Sequence, residues 1–204
     1  MRLRLFILSF LFASASFSQG IDLDIYDNIH GNRNTDLDPT MNIITKTNYP
    51  IALAVPITQL IYSFVQHDEE SIENAAQTIG AYLINTTFTY AFKYSINRDR
   101  PYEKYPQYKP YEYDSSPSFP SGHTSMAFTM ATSLSLQYKK WYVVAPAFLY
   151  AGAVAYSRIH LGAHYPSDVI AGALIGAGSS FASYKINQWL RQKWKRKTEQ
   201  NFLD

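Results

Sequence analysis

The sequence predicts an all-α protein, a helical bundle of about five main helices. Long apolar stretches separated by short polar breaks run from Tyr49 onward. None of them alternates with the period of two that a half-buried strand shows, and Ala, Gly, Leu and Ile dominate the last two. Each stretch is long enough to be a helix rather than a strand, and short connections between such helices make a bundle.

In chain order, residues 1–18 read as an export signal. Arg2 and Arg4 form a positive start, Leu5 to Ala13 a short apolar run, and Ser16-Phe17-Ser18 a small-x-small cleavage site before Gln19. An uncleaved anchor is the competing reading, but the apolar run is shorter than the ~20 residues that span a bilayer. Residues 19–48 are polar and rich in Asn, Asp and Thr, so an irregular arm is expected there. The body, residues 49–193, should contain helices over Tyr49–Gln66, Ser71–Asn97, Gly122–Tyr138, Trp141–Tyr156 and Pro166–Lys193, followed by a basic tail, 194–204.

Composition narrows the function. A chain of 204 residues holds one domain with a sizeable core. A formal charge of +2, without basic runs interleaved with aromatics, excludes a nucleic-acid footprint. Without cysteine, neither disulfides nor thiolate metal sites can form. Charge placement favours a membrane-embedded bundle. If the Lys93–Arg100 end faces outward, Lys139, Lys140 and the Arg191–Lys197 cluster fall inside, with Trp141, Trp189 and Trp194 at the same boundary. No helix is a clean run of eighteen apolar residues, so a soluble periplasmic bundle stays open.

Three clusters look built to hold one phosphate-sized anion. In the first, Lys93 and Arg100 are seven apart, two helical turns, and should project from nearly one face; Pro101 ends the helix there. In the second, Pro120-Ser121-Gly122-His123, Ser121 is a credible N-cap, and Gly122 allows close backbone approach at a helix start that favours anions. In the third, Arg158 follows Ser157, His164 precedes a helix opening at Pro166, and Asp168 lies in its first turn, able to support the dipole or turn back to the imidazole. A solvated basic end, a plain helix cap and a packed histidine explain each cluster singly. Asn97, Arg98 and Asp99 receive no assignment beyond supporting or exposed, and His30, His67 and His160 are expected to be structural or solvated. The Tyr- and Pro-rich segment 102–113 is either a lid or a stiff connector.

Taken together and in this order, the clusters resemble the type 2 phosphatidic acid phosphatase superfamily, whose signature is K-x6-R-P, P-S-G-H and S-R-x5-H-x3-D. The match runs without departure through Lys93, Arg100 and Pro101, through Pro120 to His123, and through Ser157, Arg158, His164 and Asp168. The resemblance implies a metal-independent phosphatase with no cofactor. His164 would attack phosphorus to give a phosphohistidine, Asp168 would orient it, and His123 would protonate the leaving oxygen. Lys93, Arg100 and Arg158, with Ser121 and the Gly122 N–H, would hold the non-bridging oxygens. The implied substrate is a phosphorylated lipid or small phosphate ester. The implied place is the cell envelope: the inner membrane with the site facing the periplasm, or the periplasm itself for a soluble broad-specificity enzyme. A vanadium-dependent haloperoxidase shares the anion-binding signature and is the remaining alternative.

Overall fold

The structure, a computed structural model, describes residues 20–201, with side chains to Trp194. The expected export signal lies outside these residues. Helix α1 covers residues 20–26 and runs into a π-helical turn, Asp27–Gly31. A 3-10 turn, Thr35–Leu37, leads into α2 (Asp38–Gln66), followed by α3 (Glu69–Ile96), the short α4 (Pro101–Lys104), α5 (Gly122–Tyr138), α6 (Trp141–His160) and α7 (Pro166–Asn201). Side-chain caps fix several ends: Asp68 accepts from the Ser71 amide at the start of α3, and Ser121 accepts from Thr124 at the start of α5. Asn97 and Lys139 close α3 and α5 in the left-handed conformation.

The expected irregular arm is a correction. Residues 20–31 are helical, and 38–48 form the first three turns of α2. The reason lies in which face is buried. Along α2 the inward residues are Thr45, Asn48, Ala52, Pro56, Gln59 and Ser63, spaced three or four apart, while Ile43, Leu53, Ile57, Ile61 and Phe64 point outward. Asn48 is fully buried and Phe64 is 74% exposed. A search for apolar residues at helical spacing therefore misses a stripe that is polar and small. In water such an arrangement would be inside out. In lipid it is expected, because hydrocarbon solvates the large apolar side chains and small or hydroxylated residues allow helices to approach. Among the described residues, two helical segments, Thr35–Gln66 and Pro166–Trp194, are long and apolar enough to cross a bilayer.

Helix α5 is the centre, packed against α2, α3, α6 and α7. Its closest partner is α7, where Gly172 and Gly176 leave no room for a side chain. A Cβ at Gly176 would stand 2.2 Å from the Ser125 carbonyl oxygen, and one at Gly172 would stand 2.6 Å from that of Ser121. Hydroxyls then bond directly across the seam: Ser180 Oγ donates to the Thr129 carbonyl (2.6 Å), and Ser133 and Ser180 pair at 2.8 Å. These contacts set the height of the α5 N-terminus against the α7 N-terminus. Both ends carry residues of the candidate site.

Candidate active site

All three clusters meet at one end of the bundle. The buried stripe of α3 runs Ser71, Ala75, Thr78, Ala81, Asn85, Thr89 and ends on Lys93, so the helix face that packs inward also delivers the lysine inward. The expected two-turn relation of Lys93 to Arg100 is corrected. Helix α3 stops at Ile96, and Arg100 comes back from the following loop as the residue opening α4, its amide donating to Glu103 Oε2 at 2.7 Å. Arg100 is fully enclosed and donates to the carbonyl oxygens of Ser116 (2.7 Å) and Ala163 (2.9 Å).

Ser121 and Gly122 stand at the start of α5. The Ser121 amide donates to the Asp168 carbonyl oxygen at 3.0 Å, which ties the second cluster to the third. His123 is half-buried, its carbonyl held by Asn48 Nδ2 (2.9 Å) and its ring set edge-on against Tyr49 at 4.7 Å. Arg158 is buried in the last turn of α6, with Nη1 on Thr45 Oγ1 (3.0 Å) and Nε buried without a partner. An unpaired guanidinium N–H inside a protein is costly unless a ligand completes it.

His164 sits in the α6–α7 loop, buried, with its Nδ1 3.5 Å from Asp168 Oδ2. That separation is too long for a hydrogen bond, and Nδ1 has no other partner. It is a close electrostatic contact that a small ring rotation would tighten. With Nδ1 turned to the carboxylate, Nε2 is the nitrogen left with a lone pair. Burial pushes the His164 pKa well below the ordinary imidazole value, and Arg100, Arg158, Lys93 and His123 push the same way. Those four side chains can act on one ring only because the fold gathers them around it. Every residue of the three clusters therefore stands at one end of the bundle, on the ends of α3, α4, α5, α6 and α7 and in the α6–α7 loop.

Sequence reasoning missed the partners of Asp168. Its carboxylate is fully buried and receives Arg98 Nη1 (2.5 Å), Ser118 Oγ (2.5 Å) and the Tyr165 amide (3.0 Å). Arg98 reaches on to Asp22, 2.7 Å from Nη2, and Asp22 also takes the Ser167 amide (2.8 Å) and hydroxyl (2.5 Å) at the start of α7. The N-terminal helix is thus part of the site's frame. Its Tyr26 donates to the Gly162 carbonyl (3.3 Å), and His30 Nδ1 donates to the His160 carbonyl (2.8 Å). Gly162 has a φ of +77°, and the His30 ring lies 2.4 Å from where its Cβ would be, so only glycine fits. His160 is structural as expected: its Nε2 donates to Asp38 Oδ1 at 2.9 Å.

This geometry can be set beside known proteins. The PAP2 superfamily model matches residues 74–192, more than half of the chain. The chain belongs to the PAP2 superfamily. It is 30% identical to the undecaprenyl-diphosphatase of Sulfolobus acidocaldarius over 82% of its own length and 79% of that protein's. The crystal structure of Aquifex aeolicus LpxE superposes with a TM-score of 0.68 at 32% identity, covering 80% of this chain and 94% of that one. A transmembrane PAP2-type phosphatidylglycerolphosphate phosphatase from Bacillus subtilis also superposes at 0.68, covering 91% and 95%; at 22% identity it attests the fold alone. The chain is accordingly a PAP2-type hydrolase of phosphoric esters or diphosphates, with the membrane-embedded helical fold of that family.

Proposed function

We propose that this PAP2 protein removes terminal phosphate from envelope lipids, undecaprenyl diphosphate foremost among them, through a phosphohistidine on His164. The observation that carries the reading is the ring of Lys93, Arg100, Arg158 and His123 around a buried imidazole whose Nδ1 faces Asp168. A phosphoryl group bound there has its charge spread over fixed cations, which is most of what phosphoryl transfer requires. Lys93, Arg100 and Arg158 are the electrophilic component that the chain itself supplies.

The steps follow from the positions. Nε2 of His164, unprotonated because burial and the cations disfavour its charged form, attacks phosphorus while the bond to the leaving oxygen breaks. His123, protonated when the negative charge of the bound phosphate offsets the neighbouring cations, gives that oxygen its proton. It then takes one from the water that attacks the phosphohistidine, returning His164 to its starting state and releasing inorganic phosphate. Asp168 balances the positive charge that grows on the His164 ring, and Arg98 keeps that carboxylate in place. The Gly122 and Ser121 region adds the positive end of α5.

A lipid substrate is favoured by the outward-facing apolar side chains that surround the bundle and by the undecaprenyl-diphosphatase relative. Lys139, Lys140 and Arg191 lie at the end opposite the site, and by the positive-inside rule this supports a site that faces the periplasm. Purified protein in detergent is expected to hydrolyse undecaprenyl diphosphate, phosphatidate and phosphatidylglycerol phosphate faster than p-nitrophenyl phosphate, with EDTA present and with inhibition by orthovanadate. A strict need for added divalent metal, or preference for the water-soluble ester, would contradict the reading.

A further inference from the structure

Two of the three cations assigned to phosphate, Lys93 and Arg100, are already engaged by one stretch of the chain itself. Lys93 Nζ donates to the Pro117 carbonyl. Arg100 directs Nε to the Ser116 carbonyl (2.7 Å), and Nη2 to Ser116 Oγ (3.1 Å) and Asp114 Oδ2 (2.8 Å). All these acceptors lie in residues 114–117, the end of the connector that leads into the second cluster, and Asp114 is the one anion among them. Its charge also reaches Lys93, His123 and Arg158. Burial alone would raise the Asp114 pKa, but the Ser116 amide and Arg100 bring it below the ordinary carboxylate value. A carboxylate thus sits among the same groups that a phosphoryl group is meant to meet.

We propose that Asp114 is a resident anion of the phosphate site: it occupies Arg100 Nη2 in the empty enzyme, leaves when a substrate phosphate arrives, and returns as product phosphate departs. The inference rests on the phosphatase reading above and adds a residue that limits anion affinity. Only the carboxylate has to turn. The Asp114 main chain is pinned by the Tyr102 hydroxyl, which donates to its carbonyl (2.7 Å) and accepts from its amide (2.9 Å). The side chain has room to leave: it is 41% exposed and lines a surface cavity of ≈ 580 Å³ with Tyr102, Glu103, Tyr113 and Ser115. The apparent affinity for any anion is reduced by the fraction of time that Arg100 is vacant. An ion pair open to solvent on one side sets that reduction at about fivefold. The same competition speeds release of inorganic phosphate.

Asp114→Asn removes the charge and keeps an oxygen for the Ser116 amide, which now bonds Oδ1 at 2.9 Å. The probes are inorganic phosphate and orthovanadate as competitive inhibitors of turnover, measured for wild type, Asp114→Asn, Asp114→Glu and the exposed neighbour Asp99→Asn. Inhibition constants for both anions should fall about fivefold in Asp114→Asn, and stay near wild type in Asp114→Glu and Asp99→Asn. Unchanged or higher constants in Asp114→Asn, an equal fall in Asp99→Asn, or Asp114→Glu behaving like Asp114→Asn would overturn the proposal. Failure of the underlying reading is visible separately, as a wild type that neither hydrolyses phosphate esters nor binds vanadate.

Discussion

Replacing Arg98 by methionine tests whether the N-terminal helix is wired to the chemistry. Arg98 is 26% exposed and bridges two buried carboxylates, Asp168 at 2.5 Å and Asp22 at 2.7 Å. Methionine fills much of the same volume but leaves both carboxylates without their cation. Breaking a buried ion pair from one side costs about 3–5 kcal/mol. The partial exposure of Arg98 and the hydroxyl and amide donors that remain on both carboxylates place the expected loss near the lower end, about 3 kcal/mol. For a chain of this size that is roughly a 6–12 °C fall in Tm in detergent. Asp22→Asn alone should cost about 1 kcal/mol, since Arg98 keeps Asp168 as partner. Added to Arg98→Met, it should cost nothing further or restore some stability, because it removes one of the stranded charges. A coupling of about 1–3 kcal/mol in the double-mutant cycle is the result expected of contacting residues. Turnover of Arg98→Met should fall at least about tenfold, as when a partner that orients a working imidazole is lost. Additive stability losses, or Arg98→Met with wild-type Tm and turnover, would refute the reasoning.

Three further outcomes follow from the same geometry. His164→Ala should lose several orders of magnitude in kcat while keeping its helical circular dichroism, because the parts of a catalytic unit fail together. Wild-type stability should decline as pH falls below about 6.5: the unfolded His164 takes up its proton there while the buried one, its pKa held well down, does not. The slope of Tm against pH between 6.5 and 4.5 should be shallower in His164→Gln, and an identical slope would contradict the assigned environment. Gly176→Ala forces a methyl group to within 2.2 Å of the Ser125 carbonyl oxygen, so α7 must move off α5; a loss of about 1–3 kcal/mol and a lower kcat are expected, against little change for Gly178→Ala, where nothing lies within 4 Å.

The sequence disclosed elements in proportion to how local their signals are. The α5 bounds were readable at both ends because a Ser cap opens it and a Lys-Lys break closes it. Helix α6 runs four residues past the expected Tyr156, since Ser157, Arg158 and His160 are polar side chains that the fold buries. Helix α2 starts eleven residues before Tyr49 because its inward stripe of Asp38, Thr45 and Asn48 carries no apolar period. The eight candidate residues were readable from spacing and the family resemblance, and the fold brings them to one end of the bundle. Arg98, Asp22 and Ser118 were not, for their meaning lies in pairings 50 to 76 residues apart that no local pattern encodes. Asp114 was equally silent. It is one carboxylate in a Tyr- and Pro-rich connector until Arg100 is seen beneath it.

The most direct test of the chemistry is to catch the covalent intermediate. Wild-type protein mixed with lipid substrate and quenched in alkali within milliseconds should carry one phosphoryl group, located by mass spectrometry on the peptide containing His164, stable to base and lost in acid. His164→Ala should carry none. A wild-type enzyme that turns over without any phosphorylated form, or a phosphoryl group found on His123 or His160 instead, would contradict the account.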